Sequence, residues 1–114
     1  DYLNAHGTST PTGDPIELNA IKSVFKDDIP IVSSTKSLTG HTLGAAGVQE
    51  CIYSILMMNG NFIAGNKNLT DPIPEADGIN IPEKSLEKEF DSFMSNSFGF
   101  GGTNVSLVLS KFKN

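Results

Sequence analysis

Short alternating segments and apolar-striped stretches follow one another along this chain. Tyr2 to Ala5 alternates loosely and runs into His6-Gly7, after which Thr8-Ser9-Thr10-Pro11-Thr12-Gly13 is dense in turn residues. This pattern predicts a short strand that delivers His6 into a loop. Asp14-Pro15-Ile16-Glu17 predicts a helix start: Asp14 as N-cap, proline at the first helical position, and Glu17 three residues after the cap in a capping box. The helix is expected to run to about Lys26. Ile16, Ala20 and Val24, joined by Ile21 and Phe25, have the spacing of one apolar face, which calls for a sheet to cover it.

Ile31-Val32-Ser33-Ser34 reads as a short buried strand, and the loop after it holds both Lys36 and His41. A second helix is expected from about Gly40 to Met58, apolar on nearly every side, as befits a helix inside a larger protein. Gly40, Gly44 and Gly47 near its beginning weaken it intrinsically, so they predict close backbone approach to an element outside this chain. Phe62 to Ala64 reads as a short strand. Asn66 to Pro82, with three prolines, predicts an irregular surface loop, and Lys84 to Glu89 a charged exposed turn. Ser92 to Ser97 predicts a strand, Phe98 to Asn104 a tight turn, and Val105 to Leu109 a closing strand. The order strand, helix, strand, helix, strands indicates an α/β layer architecture.

Composition narrows the function classes. With 114 residues the chain is one small domain or less, and 38% hydrophobic with 18% charged residues is the balance of a soluble globular segment. A net charge of −5, with eight lysines and no arginine, argues against nucleic acid as a partner. The single cysteine, Cys51, excludes an internal disulfide and fits a reducing compartment, so a cytoplasmic location is expected. The Asn68-Leu69-Thr70 sequon then has no evident use. The most apolar run, Cys51 to Met58, is far short of the roughly 20 residues a membrane helix needs, so no membrane partner is expected. The start, Asp1-Tyr2-Leu3-Asn4-Ala5, has no initiator Met, basic region or signal-type apolar stretch and enters directly into a strand, which suggests a fragment.

His6 and His41 are the whole imidazole inventory, and each sits where a strand gives way to a glycine-containing loop or helix start. Alone, either reads as a structural, hydrogen-bonded histidine. A metal reading is weaker still, because neither has a second ligand at a recognised spacing. Lys36 alone reads as an exposed loop lysine, Thr8 and Thr10 as turn formers, and Phe98 to Asn104 as a glycine-rich hairpin with two core aromatics.

The wording of the loops changes those readings. His6 to Asp14, Lys36 to Gly47 (Lys-Ser-Leu-Thr-Gly-His-Thr-Leu-Gly-Ala-Ala-Gly) and Asn96 to Asn104 (Asn-Ser-Phe-Gly-Phe-Gly-Gly-Thr-Asn) resemble, in order, three C-terminal signature blocks of the β-ketoacyl-acyl carrier protein synthases. Val48 to Ala64 looks nearer to the bacterial type I members. The resemblance spans this whole chain and the C-terminal part of a family member. It implies a thiolase-like, five-layered α/β/α/β/α fold whose second half this chain mostly supplies, with the helix near Gly40 to Met58 in the central layer.

It also implies a decarboxylative Claisen condensation of an acyl thioester with malonyl-acyl carrier protein in fatty-acid elongation. His6 and His41 match the family's pair of imidazole donors to the developing enolate oxygen, and Lys36 its active-site lysine, with Glu50 as the partner carboxylate. Placing His41 at the opening of a helix adds a reason for that ring to stay neutral, the helix dipole. The Phe100 N–H resembles an oxyanion donor, Phe98 a border of the acyl and malonyl pockets, and Thr8 and Thr10 the hydroxyls that hold phosphopantetheine. Asn4, Glu17, Glu50, Ser95 and Asn96 correspond to an internal monovalent-cation site, although the capping box already accounts for Glu17. No other cofactor is implied. The partners implied are acyl carrier protein, acyl and malonyl thioesters, and a second copy in a homodimer.

The family's nucleophile is a cysteine at a helix N-terminus, where the dipole promotes thiolate. Cys51 falls mid-helix among apolar residues and reads as a packing residue, so the nucleophile is expected from a preceding part of the protein. Two alternatives remain open: a polyketide ketosynthase domain, and a noncatalytic chain-length-factor homologue that lacks the nucleophile.

Overall fold

The computed structural model describes residues 1–67, 69 and 71–113. Two of the three residues of the Asn68-Leu69-Thr70 sequon lie outside the described residues. Strand β1 (Tyr2–Asn4) is followed by helix α1 (Gly13–Phe25) and strand β2 (Ile31–Ser33). A four-residue helix α2 (Lys36–Thr39) and a turn of 3-10 helix (Leu43–Ala45) lead into helix α3 (Ala46–Gly60). Strands β3 (Phe62–Ile63) and β4 (Leu86–Glu87) form a small antiparallel pair, and β5 (Ser92–Phe98) with β6 (Asn104–Ser110) closes the chain as a hairpin.

The main sheet has the order β2-β1-β5-β6. β1 runs parallel to both neighbours, with Asn4 level with Ser33 on one side and Ser95 on the other. Side chains alternate across a strand, so β1 serves two cores. Leu3 and Ala5 meet Leu18 and Ile21 of α1, with Val32 and Ala76. Tyr2 faces the other way, into a cluster with Met57, Met58, Ile63, Phe90 and Phe93 on the α3 side. The sheet is therefore the middle of three layers, α1, sheet and α3, as the strand and helix order predicts.

Several local expectations are corrected. The Ile16, Ala20 and Val24 stripe of α1 faces outward: Ile16 and Val24 are 64% and 71% exposed, whereas Leu18 and Ile21 are buried. Both stripes have helical spacing, so spacing alone does not choose between them. The residue before α1 is Thr12, whose own side chain makes no cap; the Thr10 hydroxyl accepts the Gly13 N–H at 3.0 Å, and Asp14 accepts a hydrogen bond from the Ser9 N–H at 3.1 Å. The second helix does not begin at Gly40. Gly40 has φ +74, which ends α2, and regular helix starts only at Ala46. Of its three glycines, Gly47 approaches Ser97 of this same chain rather than an outside element, while Gly40 and Gly44 have no described neighbour of this chain within 4 Å.

The Lys84 to Glu89 turn contains β4, which is paired with β3 through Phe62–Glu87 and Ile63–Leu86. The 66–82 loop is irregular but not wholly superficial, since Ala76, Ile79 and Ile81 join the α1-side core. Among the described residues no helix is long and apolar enough to cross a membrane.

Candidate functional site

Both histidines lie beyond the C-terminal ends of the parallel strands. His6 follows β1 by two residues, and its loop is pinned from three directions. The Glu17 carboxylate accepts the His6 and Gly7 backbone N–H groups at 2.8 and 2.9 Å, and Asn96 Nδ2 donates to the same carboxylate at 3.3 Å. The Ser34 hydroxyl donates to the Gly7 carbonyl at 3.1 Å. Gly7 itself has φ +38, and a Cβ there would stand 2.7 Å from Ser34 Cβ, so only glycine lets the loop lie this close to β2. Glu17 is thus no capping box; it is the anchor of the His6 loop, a role that the sequence reading missed. Ser34 and Asn66, whose Oδ1 accepts the Ser34 N–H at 3.0 Å, were missed as well, and nothing in their local sequence announces them.

Lys36 is buried, 8% exposed, at the first position of α2, which excludes an ordinary loop lysine. Its ammonium pairs with the Glu50 carboxylate from α3 and lies 3.5 Å from His6 Nδ1. Burial pushes the Glu50 carboxyl above the usual carboxylate value, while the Lys36 hydrogen bond and charge pull it back. Burial also holds the His6 imidazole below its ordinary 6.5, with the charges of Lys36 and then His41 acting in the same direction.

His41 lies in the non-helical segment between α2 and the 3-10 turn, exposed, so the helix-opening argument for its ring fails. Another feature replaces it. The Leu43 backbone N–H donates to His41 Nδ1 at 3.1 Å. A ring nitrogen that accepts a hydrogen bond carries no proton, so in this arrangement the His41 proton sits on Nε2. The same reasoning applies to His6, because an ammonium facing Nδ1 can only donate. The two rings stand edge to face with centroids 5.5 Å apart and an interplanar angle of 89°.

Phe98 joins this group, its ring 5.3 Å from that of His6. Phe100 does not: its side chain is fully exposed, beside Gly101 and Gly102, whose φ values of 79 and 84 make the turn. Thr8 and Thr10 stand close, with hydroxyls 3.3 Å apart, and the Thr10 hydroxyl also accepts the Gly13 N–H. They line a cavity of about 800 Å³ together with Lys36, His41, Asn66 and Lys67.

Asn4 at the end of β1, Glu17 on α1, Glu50 on α3, and Ser95 and Asn96 on β5 are all buried. Asn4 Nδ2 donates to Ser54 Oγ at 3.1 Å on α3, while Glu17 and Asn96 meet on the α1 side. Asn4 Oδ1 and Glu50 Oε2 are buried with no hydrogen-bond partner. Cys51 is half-buried in α3 and packs against the Tyr2 and Phe93 cluster, as a packing residue should.

The sequence profile described as "Beta-ketoacyl synthase, C-terminal domain" matches residues 1–70. The chain is 56% identical over 113 residues to 3-oxoacyl-[acyl-carrier-protein] synthase 1 of Escherichia coli (strain K12), covering 99% of this chain and 28% of that protein. A beta-ketoacyl synthase from Burkholderia phymatum STM815 superposes with a TM-score of 0.90 at 40% identity, over 98% of this chain and 28% of that one. The ishigamide ketosynthase/chain length factor gives a TM-score of 0.93 at 31% identity, over 99% and 28%. The chain thus spans between a quarter and a third of the proteins it resembles, and its fold is thiolase-like. Profile, identity and superposition agree on one placement: this chain belongs to the β-ketoacyl synthase family, as its C-terminal domain.

Proposed function

We propose that a protein carrying this segment is a 3-oxoacyl-[acyl carrier protein] synthase, and that His6 and His41 together stabilise the enolate formed when the malonyl thioester loses carbon dioxide. The observation that carries this reading is the paired tautomer. Two rings with centroids 5.5 Å apart each have Nδ1 facing a donor, Lys36 at 3.5 Å in one case and the Leu43 amide at 3.1 Å in the other, so each ring is assigned its proton on Nε2.

The chemistry follows from that arrangement. Cleavage of the bond between the malonyl α-carbon and its carboxylate sends the electron pair toward the thioester oxygen, and carbon dioxide leaves. Two fixed N–H donors aimed at that oxygen lower the barrier, because they are in place before charge develops. The α-carbon then attacks the carbonyl of an acyl group held on a cysteine, and the cysteine thiolate departs. Lys36, neutralised by Glu50, keeps His6 Nδ1 unprotonated. Phe98 walls the site beside His6, and the Phe100 N–H is assigned to the acyl thioester oxygen. Thr8 and Thr10 supply hydroxyls for the pantetheine arm.

The rest of the assignment concerns the whole protein. Residues 1–114 act as the C-terminal thiolase-like domain, one half of a five-layered α/β/α/β/α molecule, with the nucleophilic cysteine outside this segment. Acyl carrier protein is the substrate-bearing partner, the enzyme works in the cytoplasm, and a homodimer is the working state. A monovalent cation beside Glu17, Glu50, Asn4, Ser95 and Asn96 would satisfy the two orphaned oxygens of Asn4 and Glu50 and add a counter-charge for Glu17, which pairs with no ammonium among the described residues. A polyketide ketosynthase is the second reading, favoured by the superposition on ketosynthase twelve from the bacillaene polyketide synthase, with a TM-score of 0.85 at 30% identity. The higher identity to the fatty-acid synthase relative weighs against it.

The test is His41→Ala in the full-length protein. Release of carbon dioxide from malonyl-carrier protein should collapse while acyl transfer to the cysteine survives; undiminished release would contradict the assigned role. Absence of any acyl-accepting cysteine from the full-length protein would support the noncatalytic chain-length-factor reading instead.

A further inference from the structure

The cavity that holds His41, Thr8 and Thr10 contains two lysines, and they are in opposite states. Lys36 is buried and committed to Glu50. Lys67 is exposed, and among the described residues it has no carboxylate within ion-pair distance. Its backbone is nevertheless fixed: the Lys67 N–H donates to Ser37 Oγ at 3.0 Å, and that hydroxyl donates to the Ser34 carbonyl at 3.1 Å. Lys67 is thereby tied to α2, the same short helix that carries Lys36.

The lining of this one cavity includes an imidazole, two hydroxyls and an ammonium that no carboxylate pairs among the described residues. An acyl-phosphopantetheine presents a thioester, then amides, then a phosphate. The correspondence rests on the reading of His41, Thr8 and Thr10 given above. We infer that Lys67 is a substrate-positioning residue whose ammonium meets the phosphate of the carrier arm. Of the three carboxylates that line the cavity, Asp14 accepts the Ser9 N–H, Glu17 accepts the His6 and Gly7 N–H groups, and Asp71 is exposed. Neutralisation of Lys67 by Asp71 in solution is the physical alternative.

The experiment compares malonyl-phosphopantetheine with malonyl-pantetheine, which differ only in the phosphate, as substrates for carbon dioxide release by the full-length protein. The unaltered protein should prefer the phosphorylated thioester, and the preference should reside in KM. Lys67→Ala should reduce that preference about three- to fivefold, the range of one exposed ion pair. Lys67→Glu should reduce it further, and Lys67→Arg should restore most of it. Lys26→Ala, a lysine at the far end of α1, should leave it unchanged. A preference untouched in both Lys67→Ala and Lys67→Glu would overturn this role alone, with the condensing-enzyme reading intact. No release from either thioester by the unaltered protein would overturn both.

Discussion

The loops carrying His6 and His41 bring their rings to within 5.5 Å, yet this chain holds the two with very different firmness. The His6 loop is fastened by the Glu17 carboxylate, the Ser34 hydroxyl and a glycine packed against β2, and its ring is half-buried. The His41 segment is exposed, follows a glycine with positive φ, and its ring is held by one backbone N–H. Both devices nonetheless produce the same tautomer. An ammonium and an amide are alike in the one property that matters here: each can only donate.

The comparison can be broken at several points. The largest effect is expected from Glu50→Ala, which leaves the Lys36 ammonium buried without a counter-charge; loss of one partner of such a pair costs about 3–5 kcal/mol. Chemical denaturation of the full-length protein would show it as a lowered midpoint. Next comes His41→Ala, expected to slow carbon dioxide release by about 10²- to 10³-fold, the usual cost of one oxyanion donor, with stability nearly unchanged because the ring is exposed. Glu17→Ala should act on the other loop through two unsatisfied amides, costing about 2–3 kcal/mol and slowing decarboxylation through His6.

The fastening of the His6 loop was only partly legible beforehand. Glu17 stands three residues after Asp14, a spacing that suits a capping box as well as a carboxylate reaching loop amides, and only the tertiary position of His6 decides between them. The same degeneracy blurred the face of α1: Ile21 and Phe25 of the expected face do join the core, whereas Ile16, Ala20 and Val24 face outward and Leu18 is buried instead. The start of α3 was misread because glycines and a positive-φ Leu43 delay a helix that apolar spacing alone would begin earlier. By contrast, β1, β2, β3, β5, β6 and the β5–β6 turn were legible, since alternation and Gly-rich turn chemistry are local signals, whereas the two-residue β4 was hidden in a charged segment read as a turn. The three loop blocks were legible for a different reason: their wording, not their physics, tied His6, Lys36 and His41 together. Asn66 and Ser34 had neither kind of signal.

Smaller effects sharpen the contrast. The folded His6 ring binds its proton below 6.5, whereas an unfolded one binds it at 6.5. The unfolded chain therefore takes up more protons as pH falls through that region, and stability should decline from about 6.5 downward. Lys36→Met removes one of the charges that disfavour His6 protonation, so the acid limb of the decarboxylation profile should move to higher pH. Cys51→Ala is the mildest change. A half-buried thiol in apolar packing should cost about 1 kcal/mol or less and leave turnover largely intact, and a folded but inactive variant would demand a different mechanism.

The most direct measurement is nitrogen NMR of the two imidazoles in the full-length protein, with Nδ1 and Nε2 assigned separately for His6 and His41. Each neutral ring is expected to carry its proton on Nε2 and to leave Nδ1 bare. A proton on Nδ1 of either ring would point a lone pair, not a donor, at the enolate oxygen and would contradict the account.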